Sequence, residues 1–408
     1  MLKNVSYYLI LLFLVCLPFD QFYSSVTLIC LTVHTVLTGT KASFRMLLDK
    51  RVLVLQALYW LTLLGTVYTR YPGEALGEWV QQLPLLLWPW LACVLQPVLR
   101  ERKTELLGAF VLSGCAVVGY LFWTAFRTIH YFHMPIGALF SSFFVNQNFS
   151  KPLDLHATYL SMYLALSLVF CLTAVVGVGS AIRKTGLILA SLVLLAGLIQ
   201  LTSKSVLGGT WVALVIGVPV FLFPARRRAA AFRVTAILTF TLVLGSLLLQ
   251  ASSFRGRIVD DLTRDFVQDR RADPLNEPRM VRWKVALGLI RSSPLVGYGS
   301  GSEMPVLKAA YYQQGLFEPY LYELNTHNQF LRYGMTLGVM GVLAYLGLLG
   351  FGFVQAWKHR DLVWICFLTL ATVVSFAENM LDVQKGIFFF SFFFSFFFFS
   401  SSPKPTKP

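Results

Sequence analysis

Charge is scarce in this chain. Asp, Glu, Lys and Arg together make up 13% of its 408 residues, against about 25% in an ordinary soluble domain. That scarcity excludes a soluble globular enzyme. Cysteine is scarce too. Cys16, Cys30, Cys93, Cys115, Cys171 and Cys366 all fall inside apolar stretches, where a thiol behaves as a small hydrophobe, so neither a disulfide framework nor a cysteine-based metal site is implied. A phosphate loop is missing as well. The run Ser292-Ser-Pro294-Leu-Val-Gly297-Tyr-Gly299-Ser-Gly301 is rich in glycine, but no Gly-Lys-Ser/Thr follows and no strand precedes it, so it reads as a turn linking two helices. No small-residue cleavage site precedes Asp20, and the first apolar run is expected to be a retained anchor.

What the chain has in abundance is hydrocarbon: 56% of its residues are apolar. Runs of about 17–25 such residues recur from end to end, each long enough to cross a bilayer core of about 30 Å. Spans are expected at 5–19, 22–39, 52–69, 77–98, 105–126, 153–177, 185–201, 205–223, 234–250, 335–357, 361–380 and 385–400. The expected fold is an all-α polytopic membrane protein with about twelve transmembrane helices and one large helical loop. Its parts would be nine spans in 1–250, a loop over 251–334 that carries the active site, and three spans with a short tail in 335–408.

The net charge of +15 does not announce a polyanion-binding surface. Basic residues concentrate in alternate short connections, at Lys41, Arg45, Lys50 and Arg51, at Arg100, Arg102 and Lys103, and at Arg226, Arg227, Arg228 and Arg233. That bias is an orientation signal. It makes both termini cytoplasmic and turns 127–152 and 251–326 outward. The long segment 251–326 holds ten basic and nine acidic residues, so it carries almost no net charge.

Chemistry gathers on the outward side. His327, flanked by Asn325 and Asn328, stands where the long polar segment runs back into an apolar one; an imidazole there can take a proton from a hydroxyl near neutral pH. Upstream, Asn276-Glu-Pro278-Arg279-Met-Val-Arg282 reads as the start of a helix, with Asn276 as N-cap and Pro278 in the first turn. Arg279 and Arg282 share one face near the electropositive end, a suitable clamp for a diphosphate. The alternative is salt bridging to Glu277 or Asp273. Lys204, in the turn Thr202-Ser-Lys204-Ser, is either a snorkelling interfacial lysine or a third cation for an anionic lipid headgroup. His156 either lines a cavity or caps its helix. His130 and His133 could bind a metal on one helical face, but no Cys, Asp or Glu stands near enough to complete the site. Glu378 is either an arginine partner inside the bundle or part of a solvated rim. The Phe/Ser run from Ile387 to Ser400 reads as a lipid-facing helix.

One imidazole, three cations and no acidic metal cage suit transfer of a glycan from a polyprenyl diphosphate to a sugar hydroxyl, with His327 as base and Arg282, Arg279 and Lys204 on the departing diphosphate. The stretch His327-Asn328, nine residues, then Gly338-Val-Met-Gly341 resembles the signature of the O-antigen ligases and their relatives, the O-antigen polymerases. Arg282-Trp, Ile290 and Pro294-Leu-Val-Gly-Tyr-Gly299 are similar to the family's stretch before that histidine. The resemblance implies a GT-C-like membrane fold and an undecaprenyl-diphosphate-linked glycan as donor. It also implies a lipid A–core oligosaccharide as the ligases' acceptor, an inner-membrane location with a periplasmic site, and no metal or cofactor. Membrane lipid is a partner and nucleic acid is not. Where the family usually has Ser-Arg, this chain has Ser203-Lys204, which keeps the charge but loses the bidentate fork. Arg70 and Glu78 correspond loosely to a region that handles donor or acceptor, and Asn328 and His156 join them as candidates. A polymerase or a protein-targeting ligase would share these residues, while the single large outward loop favours the ligase. A transporter of lipid-linked glycans would favour internal repeats and charges at mid-membrane depth; neither is found.

Overall fold

The computed structural model describes residues 2–222 and 279–401, and every regular element within them is helical. The expected span at 234–250, the stretch with Asp273, Asn276 and Pro278, the arginines at 226–233 and the lysines at 404 and 407 lie outside the described residues. The helices that matter are α1 (Leu2–Cys16), α2 (Gln21–Thr38), α3 (Lys50–Leu55), α4 (Ala57–Gly65), α5 (Pro72–Val94), α6 (Lys103–Tyr131), α7 (Ala157–Gly177), α8 (Ala181–Leu201), α9 (Lys204–Leu222), α10 (Arg279–Ser292), α11 (Glu303–Gln313), α12 (Gln329–Thr336), α13 (Gly338–Lys358), α14 (Leu362–Ser375) and α15 (Gln384–Ser401).

A helix underlies each expected span that falls within the described residues. Four of them, α6, α7, α8 and α13, are long and apolar enough to cross a membrane, and Asn4–Cys16 and Leu362–Ser375 are shorter apolar helices. This is an all-α membrane protein. Its expected third span is broken at Gln56, where α3 ends and α4 begins. The Gln56 amide donates to the Leu86 carbonyl of α5 (2.7 Å), which holds the break against a neighbour. In α5, Pro84 and Pro89 sit inside a continuous helix, as helices packed against neighbours allow.

The Phe/Ser helix overturns an expectation. α15 faces protein, not lipid: from Ile387 to Phe399 its side chains are almost entirely buried. Phe392 packs on Phe13 of α1 and Trp88 of α5, Phe393 on Phe110 of α6, and Phe389 on Phe367 of α14. A helix that is apolar all round suits a core and a bilayer equally, so its own sequence cannot distinguish them. Here it is the post around which α1, α5, α6, α7 and α14 stand.

Two ends of the bundle can be told apart by their polar ties. At one end Lys385, opening α15, donates to the Leu17 carbonyl that follows α1 (3.0 Å). The connections 66–71, 294–302, 322–328 and 376–383 meet there. At the other end Lys103 pairs with Asp361 (2.6 Å), beside Ser401.

Candidate active site

His327 is placed by the start of α12. Asn328 caps that helix, its Oδ1 accepting from the Phe330 and Leu331 amides (3.0 and 3.1 Å). The cap stops the chain from continuing the helix backwards, and His327 takes a left-handed backbone conformation, φ +44°. That region costs a residue other than glycine some free energy, less for histidine than for most, and here the surroundings hold it. The enforcement comes from three sides. The Asn325 side chain accepts from the His327 amide (3.0 Å). Arg282 and Trp283 of α10 donate to the carbonyls of Asn325 and Thr326 (both 2.8 Å). The turn between α14 and α15 supplies Glu378 and Asn379.

Glu378 defines the chemistry. Its Oε2 lies 3.0 Å from His327 Nδ1, and the His327 side chain keeps 30% of its exposure. An imidazole that donates from Nδ1 to a carboxylate carries its lone pair on Nε2, so the pair selects the tautomer a general base needs. Burial pushes the Glu378 carboxyl up, but the hydrogen bond and charge of His327, with smaller pulls from His156 and Arg279, hold it below its ordinary value. His156 and Arg279 both lie within electrostatic reach of Glu378 and of each other.

Beneath this pair is a buried ionic cluster that sequence reasoning did not find. Arg332, one turn into α12 and 4% exposed, pairs with Glu78 of α5, with Asp382 Oδ1 (2.6 Å) and with Glu303 Oε2 of α11 (3.8 Å). Glu78 also accepts from the Gly301 amide (2.6 Å). Three ionised carboxylates around one guanidinium would leave two uncompensated charges in a dry pocket. Burial, with Glu303 and Glu78 alongside, holds the Asp382 carboxyl well above the usual range despite Arg332. The guanidinium fills the position a cation would take, and no metal-binding group of three His, Cys, Asp or Glu occurs among the described residues. The signal for this cluster was present: Glu78, Arg332 and Asp382 are ionisable residues at the ends of apolar spans.

The remaining expected residues divide. Arg279 is half-buried and donates to the Ala377 carbonyl (3.1 Å), beside Glu378. Arg282 is buried, with one nitrogen on the Asn325 carbonyl. Lys204 is half-buried at the first position of α9, after Thr202, whose φ is +48°. Gly209 of α9 faces Leu370 and Val373 of α14, which sets the start of α9 level with the end of α14. His156 caps α7, its Nδ1 accepting from the Thr158 amide (3.3 Å). The Asn328 side chain holds its cap through Oδ1 and donates from Nδ2 to the Phe376 carbonyl (3.3 Å). Arg70 is exposed, in a loop whose Tyr68 and Thr69 dock on the Val296 and Ser300 carbonyls (2.6 and 2.7 Å). His130 and His133 are exposed and take no part.

The glycine-rich turn is a joint. Its backbone runs along the junction of α12 and α13, the Tyr298 and Gly299 amides donating to the Met335 and Thr336 carbonyls (both 2.8 Å). At Gly338, φ +62°, a Cβ would lie 2.3 Å from the Leu295 carbonyl oxygen. A side chain there would force the turn off α13 and with it the frame that carries His327.

Residues 189–346 match the family model described as O-antigen ligase. The chain carries an O-antigen ligase family domain. No curated protein matches the chain. The O-antigen ligase domain supplies Lys204, Arg279, Arg282, Glu303, His327 and Arg332, whereas Glu78, Glu378, Asn379 and Asp382 come from helices and turns outside residues 189–346. The candidate site is therefore assembled between the family domain and the rest of the bundle. The match supports a glycosyltransferase-type enzyme in general.

Proposed function

We propose that this protein transfers an O-antigen glycan from undecaprenyl diphosphate to a hydroxyl of the lipid A–core oligosaccharide, at the periplasmic face of a bacterial inner membrane. The observation that carries this reading is the His327–Glu378 pair, 3.0 Å apart, whose histidine lies in the stretch that matches the O-antigen ligase family and whose carboxylate comes from the turn after α14. In the reaction, Nε2 of His327 takes the acceptor hydroxyl proton as that oxygen attacks the anomeric carbon. The bond from that carbon to the diphosphate oxygen breaks, and the electron pair leaves with the diphosphate. Arg279, Arg282 and Lys204 offset the charge developing on it, without a metal. Twelve spans, cytoplasmic termini and a GT-C-like arrangement complete the proposal; the distribution of basic residues supports the orientation.

Purified protein in lipid bilayers, given undecaprenyl-diphosphate-linked glycan and lipid A–core in the presence of a chelator, tests it. The expected product is capped lipopolysaccharide, and His327→Ala should lose about 10²–10⁴-fold in rate while remaining folded. Parental turnover by His327→Ala would end the base assignment. Elongation of the donor without lipid A–core would make the protein a polymerase, and movement of donor across the bilayer without transfer would make it a transporter.

A further inference from the structure

The turn between α14 and α15 does more than present Glu378. Its next residue, Asn379, is 2% exposed and reaches both neighbours of His327. Asn379 Oδ1 accepts from the Asn328 amide (2.7 Å) and stands 3.1 Å from the Thr326 hydroxyl. Asn379 Nδ2 donates to both oxygens of Glu303 (2.8 and 3.1 Å) and to Asp382 Oδ2 (3.1 Å). Every polar atom of this amide is therefore engaged. Two consecutive residues thus meet three. Glu378 takes the imidazole, and Asn379 takes the backbone on its far side and the hydroxyl on its near side.

We propose that Asn379 is a positioning residue for His327, fixing the strained loop so that the imidazole meets Glu378; this rests on the reading of His327 as the general base. A free loop would relax from φ +44° toward the ordinary backbone regions, swinging the ring away from its carboxylate. Asn379 resists that because its own amide is anchored from behind. Glu303 and Asp382 hold the donor side, and Arg332 holds those carboxylates in turn. An aspartate would keep the two acceptor contacts but set a third carboxylate against Glu303 and Asp382. An amide alone serves both faces.

The test uses the full-length protein with donor and acceptor lipids. Asn379→Ala should lower kcat by about tenfold to a hundredfold, the scale of a misplacement of about 1 Å, and leave KM for both lipids unchanged. Thr326→Val, which removes a single hydroxyl from the network, should lower kcat about fivefold. Exchanging the partners, Asn379→Asp together with Glu303→Gln, moves the amide across the same hydrogen bond and should recover kcat lost in Asn379→Asp alone. Parental kcat per folded molecule in Asn379→Ala, a change confined to KM, or no recovery in the double exchange would overturn the assignment. Should Asn379→Ala fail to fold, Thr326→Val and the double exchange decide. If His327→Ala is inactive while Asn379→Ala is parental, only this inference falls; if His327→Ala turns over, the reading beneath it falls first.

Discussion

The two ends of the bundle use charge in opposite ways. At the end away from His327, the pairs are local or partly wet. Arg51 pairs with Asp49 two residues away, and Arg102 with Glu105 three residues away. Lys103 pairs with Asp361 while its side chain stays 28% exposed. At the His327 end, one guanidinium gathers carboxylates from α5, α11 and the turn before α15, all nearly excluded from solvent. Exposed pairs add little, because water and mobile ions already screen the charges. Buried networks are costly to assemble, and removing one member strands the others. A protein that needs only a fold has no reason to bury four ionisable groups in one place. The cost falls where elements distant in sequence must meet at fixed geometry, and at this end they meet around His327.

The sharpest way to break that contrast is Arg332→Met. The change keeps bulk but strands Glu78, Glu303 and Asp382, and the expected loss is about 3–5 kcal/mol of stability, read as a collapse of the thermal transition of purified protein. Neutralising two of the carboxylates in the same chain, with Glu78→Gln and Asp382→Asn, should return much of it. An Arg332→Met protein as heat-stable as its parent would mean the cluster is not a closed ionic network.

How much of this was legible beforehand depended on distance along the chain. Apolar runs announced the helices, because each is a local property of about 20 residues. His327 was legible too, because His327-Asn328 and Gly338-Val-Met-Gly341 lie in one short stretch. The break at Gln56 was not legible, because what holds it is a carbonyl 30 residues on. Nor was the burial of α15, whose phenylalanines read alike in lipid and in protein. Nor was the role of Arg332, whose partner Glu78 stands 254 residues away. In the sequence Glu378 reads as an arginine partner or a rim residue; the structure gives it neither role but pairs it with His327, 51 residues away.

A middle-sized effect sharpens the contrast within the site itself. Glu378→Gln replaces the carboxylate with an amide that can donate or accept, so the His327 tautomer is no longer selected. Turnover should fall roughly 10–100-fold, part of the 10²–10⁴ that base catalysis supplies, with a modest loss of stability at neutral pH that shrinks on acidification. The pH response carries the sign. The Glu378 carboxyl is held below its ordinary value of 4.5, so the pair stabilises the folded state above that pH and loses its contribution as pH falls through the lowered value. The parent should therefore lose some heat stability on acidification that Glu378→Gln does not lose. Identical acid profiles would dissociate Glu378 from His327.

The smallest effect belongs to the opposite end. Lys103 contacts Asp361 (2.6 Å), lies over the Phe397 ring (5.6 Å) and keeps 28% of its side-chain exposure, and Asp361 keeps its other task of capping α14 through the Trp364 amide (3.1 Å). Lys103→Met retains the apolar stem against Phe397 and removes only a screened attraction. The expected cost is about 0.5–1 kcal/mol, diminishing further in high salt, with parental turnover. Thermal unfolding at low and high salt checks it. A loss approaching that of Arg332→Met would mean that this end, too, depends on a charge that water does not screen, and the distinction between the two ends would fail.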